Sequence, residues 1–326
     1  MSHLLLTRRC ALHRSLTCLA LLAGSGIATS ALAAFPEKPI RVVVATAPGT
    51  PVDVVTRMAK ELGQTFIVDN KPGAAGVIGG ADVAKAPADG YTVLNIFMPM
   101  TVAPSLIAKV PFDLSRDFTP VGQMVWSYNV LATHPSVPAK SVKELVALLK
   151  AQPGKMSFAS GGVGTPAHLA GELFKIETKT FAVGVPYNQF GQAITDLVGG
   201  THQFMFGATS ALLPFVANGR LNALAVTSPA RLPSLPEVPT LLELGYKELV
   251  IRDWQGLAVR AGTPPEMVAK LGDALAKALA DPEVLQGLAV FGAVPAAGTA
   301  AQFGQLIADE TKRWAAIVKR QNVKLN

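Results

Sequence analysis

From Lys38 onward, apolar runs rich in β-branched residues alternate with amphipathic stretches. Short apolar runs between longer segments of helical period predict an α/β fold built on parallel sheet. Strands are expected at 40–46, 65–69, 91–97, 120–125, 130–134, 156–159, 182–186, 202–206, 223–227 and 255–260. Helices are expected at 51–62, 79–85, 141–150, 166–176, 192–198, 212–218, 239–244, 264–280 and 300–320. Glycines that stop helices follow several of them, at Gly63, Gly199-Gly200 and Gly219.

Two strand-to-helix joints stand apart from the rest. The first runs Thr46-Ala47-Pro48-Gly49-Thr50-Pro51 and the second Ser160-Gly161-Gly162-Val163-Gly164-Thr165-Pro166. Both close on Thr-Pro, which places Thr at the N-cap and Pro at the first helical position. Such a joint presents unpaired backbone N–H groups and the positive end of a helix dipole, which suits a carboxylate or phosphate. Thr263-Pro264 has the cap without the glycines, so the glycines are what would let a ligand approach the backbone. Strand, glycine-rich turn, Thr-Pro and helix occur twice, which predicts two similar lobes with one anionic ligand between them. The chain is expected to cross between lobes near 130–138 and to return near 251–259. Lobe 1 is then 35–131 plus 255–326, and lobe 2 is 132–254, an arrangement suited to hinge closure.

Composition narrows the classes. The 326 residues are 50% apolar and 16% charged, which predicts large buried cores and argues against disorder. The net charge is +7, but residues 1–34 carry Arg8, Arg9 and Arg14 and no acid, leaving 26 basic against 22 acidic residues beyond them. That surplus is spread along the chain, so it reads as an ordinary surface and no nucleic-acid partner is expected. The three arginines, an apolar stretch over 16–28 and Ala31-Leu32-Ala33 read as an export signal cleaved near Ala33 or Ala34. The apolar stretch is shorter than the roughly 20 residues of a membrane span. Thr7-Arg8-Arg9 raises the twin-arginine route, though general secretion is preferred. Both cysteines, Cys10 and Cys18, fall within the signal, which leaves the exported chain without a disulfide, a thiol nucleophile or a cysteine metal ligand.

Catalytic signatures are weak. Asp53 lies three residues after Thr50 and is read first as a capping-box carboxylate, second as a contact for a ligand amino group. Ser160 lacks a nucleophile elbow, because Phe158 stands where that motif needs Gly, so a serine hydrolase using Ser160 and His168 is a distant rival. No Lys follows the glycines of either joint, and Gly73-Ala74-Ala75-Gly76 is only a weak dinucleotide turn, so no cofactor is expected. Beyond the signal the histidines are His134, His168 and His202, too scattered for a metal site, and His168 is read as helix surface.

Phe35-Pro36-Glu37-Lys38-Pro39-Ile40, Asn70-Lys71-Pro72-Gly73-Ala74-Ala75-Gly76 and Ala88-Asp89-Gly90-Tyr91 resemble segments of the Bug-type periplasmic receptors of tripartite tricarboxylate transporters. Val185-Pro186-Tyr187, Leu235-Pro236-Glu237-Val238-Pro239-Thr240 and Ala261-Gly262-Thr263-Pro264 continue the resemblance in order along the chain. It implies an α/β, two-lobed, type II (Venus-flytrap) clamp: each lobe a mostly parallel sheet flanked by helices, with two crossover strands. It also implies a monomeric periplasmic receptor without catalysis that hands a small carboxylate to membrane permease subunits, or alternatively reports occupancy to a sensor protein. The implied ligand contacts are Thr46, Ala47, Pro48, Gly49, Thr50 and Asp53 in one lobe and Ser160, Gly161, Gly162, Gly164, Thr165 and Tyr187 in the other. Met98, Pro99 and Phe206 are expected to wall the apolar part, and Gly207 belongs to the site at a position where the family usually carries Asp. Three departures stand out: the first helix ends about six residues early, the first joint has a single Gly, and Gly207 replaces the usual Asp. Loss of that acid disfavours an amino-acid ligand and favours a dicarboxylate or an aromatic carboxylate.

Overall fold

The structure, a computed structural model, describes residues 35–45, 52–187, 189–290, 292–296 and 298–321. The first sheet has the order β2 (Phe66–Asn70), β1 (Ile40–Val44), β3 (Thr92–Phe97), β10 (Asp253–Arg260), β4 (Phe118–Ser127) and β11 (Val294–Pro295). The second has the order β7 (Val183–Pro186), β6 (Ser157–Ser160), β8 (Phe204–Ala208), β5 (Asn129–Thr133) and β9 (Asn222–Val226). β1 pairs in parallel with β2 and β3, and β6 pairs in parallel with β7 and β8. β11 runs against β4 at one edge, and inside the two sheets β10 runs against β3 and β4, and β5 against β8 and β9. β10 and β5 bring the chain into each sheet from the other. The outward passage falls at Tyr128, between β4 and β5, rather than at 130–138, and the return lies between β9 and β10. Both sheets belong to the unit Lys38–Asn326.

The apolar faces of the flanking helices are buried against these sheets. The helices are α1 (Val52–Leu62), α2 (Val77–Val83), α3 (Pro99–Leu106), α4 (Val142–Ala151), α5 (Pro166–Thr178), α6 (Phe190–Val198), α7 (Thr209–Ala217), α8 (Pro265–Ala280), α9 (Pro282–Val290) and α10 (Ala300–Gln321). The core of the second sheet is aromatic: Phe174 packs edge-on against Phe204 and Phe206, with ring centroids 6.2 and 5.7 Å apart. Phe158 stacks on Phe204 at 5.5 Å and lies over Gly171 of α5, where an added Cβ would sit 2.2 Å from the ring. In the first sheet the fully buried Trp254 meets Phe303 of α10 edge-on at 5.4 Å.

The helix expected at 239–244 does not form. Thr240 forms a bridge with Val226, and Leu241 donates its N–H to the Val226 carbonyl, which ties the start of the segment to β9 and leaves 241–245 as turns. Arg231 then clamps Glu243 through Nε and Nη2. α3 and α9 were not expected. α3 is apolar on every side and contains Pro104, so it has no helical-period stripe to reveal it. Among the described residues no helix is long and apolar enough to cross a membrane, and no group of three or more His, Cys, Asp or Glu could hold a metal ion.

Candidate functional site

The second joint turns from β6 into α5 just as the glycine pattern requires. Gly162 and Gly164 have φ of 118° and 79°, a region that side-chain-bearing residues avoid. Gly161 meets the ring of Phe190, which a Cβ would approach to 2.7 Å. Thr165 caps α5: its Oγ1 accepts from the His168 N–H at 3.3 Å and donates to the Gly162 carbonyl at 2.8 Å. His168 is buried rather than on the helix surface, and its Nδ1 accepts the Gly164 N–H at 3.4 Å. Burial lowers its pKa, and an accepting Nδ1 requires the neutral ring with its proton on Nε2. With Nδ1 so engaged, His168 is a brace for the loop and makes no hydrogen bond with Ser160.

What the joint leaves open is its inner rim. The N–H groups of Gly161, Gly162 and Val163 find no acceptor among the described residues. Ser160 is 1% exposed, and its Oγ has no hydrogen-bond partner among the described residues. Asn95, Thr133, Trp254 and Gln255 also hold a buried polar atom without a partner, but they lie within β3, β5 and β10. Ser160 differs in opening a loop whose own donors are free, at the positive end of a 13-residue helix. A buried hydroxyl costs free energy unless it is bonded, so the corner suits an acceptor that can also take up the N–H groups.

Tyr187 supports this loop from behind. Its N–H donates to the Ser160 carbonyl at 2.9 Å, and its own carbonyl oxygen lies 3.4 Å from where a Gly162 Cβ would sit. The hydroxyl expected to face a ligand is otherwise engaged. It donates to Asp196 at 2.6 Å and accepts from His202 Nε2 at 2.6 Å, while His202 Nδ1 meets Ser157 Oγ at 2.8 Å. The bond to Asp196 pushes the phenol up to about 12. Tyr187 therefore shapes the joint through its backbone, its side chain tied down by α6 and the start of β8.

Three more expected contacts are packed into the interior. Met98 is fully buried, with its N–H bonded to the Trp254 carbonyl and its carbonyl bonded to Thr101 Oγ1. Phe206 is fully buried against Phe174. Gly207 faces Leu212, whose Cδ1 lies 2.7 Å from where a Cβ would be, so Leu212 fills the space an aspartate would need. Thr46, Ala47, Pro48, Gly49 and Thr50 lie outside the described residues, as does the side chain of Asp53; β1 and α1 flank them as expected.

Sequence reasoning missed what faces the second joint. After β2 the chain makes a left-handed turn in which Ala74, Ala75 and Gly76 have φ of 48°, 53° and 88°. Ala75 Cβ lies 3.6 Å, and Leu106 Cδ1 3.9 Å, from where a Gly164 Cβ would sit. Between this turn, α3 and the joint is a cavity of about 200 Å3, walled by Ala74, Ala75, Val102, Leu106, Ile107 and Val163. The segment 70–76 was visible as a glycine-rich turn after a strand, but nothing in sequence brings it against Gly164. A larger cavity of about 610 Å3 lies between β4 and α8 and shares no residue with the second joint. At the passage between sheets, Ser127 Oγ donates to Asp253 Oδ2 at 3.3 Å, and burial pushes the Asp253 carboxyl up to about 7.

Comparison with known proteins agrees with this architecture. Residues 50–323 match the model of the tripartite tricarboxylate transporter family receptor. The chain is 36% identical over 315 residues to protein BugT of Bordetella pertussis, covering 93% of this chain and 97% of that protein. It superposes on the periplasmic binding protein BugD with a TM-score of 0.81 and 31% identity, covering 89% of this chain and 99% of BugD. On MatC of Rhodopseudomonas palustris with bound malate the TM-score is 0.79 and the identity 28%, over 87% of this chain and 100% of MatC.

Proposed function

The chain belongs to the receptor family of the tripartite tricarboxylate transporters, among Bug-type solute-binding proteins, and on that premise we propose how it captures its solute. The ligand is a small carboxylate, held between the two sheets as between two jaws. The N–H groups of Gly161 to Val163 and the Ser160 hydroxyl take one side of the carboxylate. The first joint, Thr46 to Thr50, with Asp53 behind it, takes the other. β5 and β10 act as the linking strands about which the jaws close, and closure removes the ligand from water. The single observation carrying this reading is the buried Ser160 hydroxyl without a partner, set beside three free N–H groups at a helix start. The malate in MatC supports the choice of ligand chemistry.

The receptor works in the periplasm as a monomer after cleavage near Ala33 or Ala34, and it delivers the ligand to the permease subunits of its transporter. It binds without chemical conversion. Thermal-shift measurement against mono-, di- and tricarboxylates tests the reading, because a ligand that binds only the folded state raises Tm. Ser160→Ala is expected to weaken carboxylate binding by about tenfold or more, the value of a hydrogen bond to a charged group, with little change in Tm of the free protein. No shift from any carboxylate would refute the receptor reading.

A further inference from the structure

Resting on the receptor reading above, we propose that the solute is a monocarboxylate with a compact apolar body, of the size of benzoate or hexanoate. Its carboxylate meets the second joint, and its body fills the adjoining cavity. The two parts are contiguous in the chain: Val163, whose N–H is free, and Gly164 also wall the cavity, so one short molecule reaches both.

Size and charge restrict what can enter. The cavity measures about 200 Å3. An apolar cavity of about 150 Å3 takes up a benzene ring, so the space fits one ring or a chain of about six carbons. Its described walls are Ala75, Val102, Ala103, Leu106 and Ile107 with the joint itself, and no ionisable or hydrogen-bonding side chain is among them. A second carboxylate placed there would lose its water and gain no donor, a heavy penalty for a charged group. Lys71, close in sequence to the alanine turn, is engaged by Asp82 at 3.2 Å and Asp69 at 3.6 Å. A dicarboxylate therefore loses at its far end what a ring or an alkyl chain gains by burial.

Matched pairs test this directly. Calorimetric titration of the protein with hexanoate against adipate, and with benzoate against terephthalate, changes only the distal carboxylate. The monoacids are expected to bind at least tenfold more tightly, with affinity rising roughly fourfold per methylene from butanoate to hexanoate. Diacids that bind as well as the monoacids or better overturn the inference and leave the receptor reading standing. Silence from all four overturns the inference, and the receptor reading falls with it only if the wider screen of mono-, di- and tricarboxylates is silent too. Leu106→Asn, at the half-buried end of α3, is expected to weaken benzoate at least tenfold. Val102→Thr, nearly equal in volume, provides a second variant if the first fails to fold. Unchanged benzoate affinity in a folded variant of either kind overturns the inference.

Discussion

Two glycine-rich turns face each other in this molecule, and they are built in opposite ways. The turn at 73–76 puts alanines in the left-handed region, at φ of 48° and 53°, and contributes methyl groups to an apolar wall. The joint at 160–165 reserves that region for Gly162 and Gly164, and exposes N–H groups and a buried hydroxyl. Alanine there costs strain that only surrounding structure can hold, about 1–2 kcal/mol per residue. The comparison separates two tasks: one turn supplies shape, the other supplies polarity.

The largest expected effect comes from breaking the polar turn. Gly162→Val should destabilise the fold by about 1–3 kcal/mol through strain at a left-handed position and abolish carboxylate binding. A lowered urea midpoint together with a silent titration would bear this out. Unchanged stability would mean that the loop tolerates a backbone other than the one described.

A smaller effect contrasts two titratable groups of opposite sign, the buried His168 and the half-buried Asp253. His168 has a folded pKa below its ordinary 6.5. Its contribution to stability is present above pH 6.5 and is lost as pH falls through the folded value. Asp253 has a folded pKa raised from 3.8 to about 7. Its contribution is full below pH 3.8 and is lost as pH rises through about 7. Tm of Asp253→Asn at pH 8 is accordingly expected to exceed that of the parent, with the difference vanishing at pH 4. Removing His168 should flatten the fall in Tm between pH 6.5 and 5. A pH profile of Tm unchanged by either substitution would refute the corresponding assignment.

The smallest effect sharpens the apolar side. Ala75→Gly relieves a left-handed alanine but frees the unfolded chain, so the two terms largely offset and Tm should move by only about a degree or two. Carboxylate binding should survive, in contrast to Gly162→Val. Loss of binding in Ala75→Gly would mean that the apolar turn, too, carries the anion contact.

Much of the fold was legible because apolar runs and amphipathic stretches keep their local periods regardless of context. The parallel strands, the Thr165 cap and the glycine joint fall where pattern and turn chemistry put them. Other features were hidden for identifiable reasons. α3 has apolar residues on all sides and therefore no stripe, and 239–244 reads as a helix until Val226 captures Thr240 as a bridge partner. Tyr187, Phe206 and Met98 are of types that often line sites, but side-chain direction depends on neighbours far away in sequence. Gly207 could be noticed as a missing acid, yet only Leu212 explains why no acid fits there.

The sequence by itself determined the α/β class, the candidate anion joint with its cap and glycines, and the family resemblance. Each of these depends on residues within a few positions of one another or on order along the chain. Only the tertiary structure decided that the 73–76 turn lies against Gly164, that His168 braces the loop, and that the cavity between them is apolar. The turn and the cavity arise where segments distant in sequence pack together, which no local pattern encodes, and the brace forms because the fold buries His168 four residues beyond Gly164.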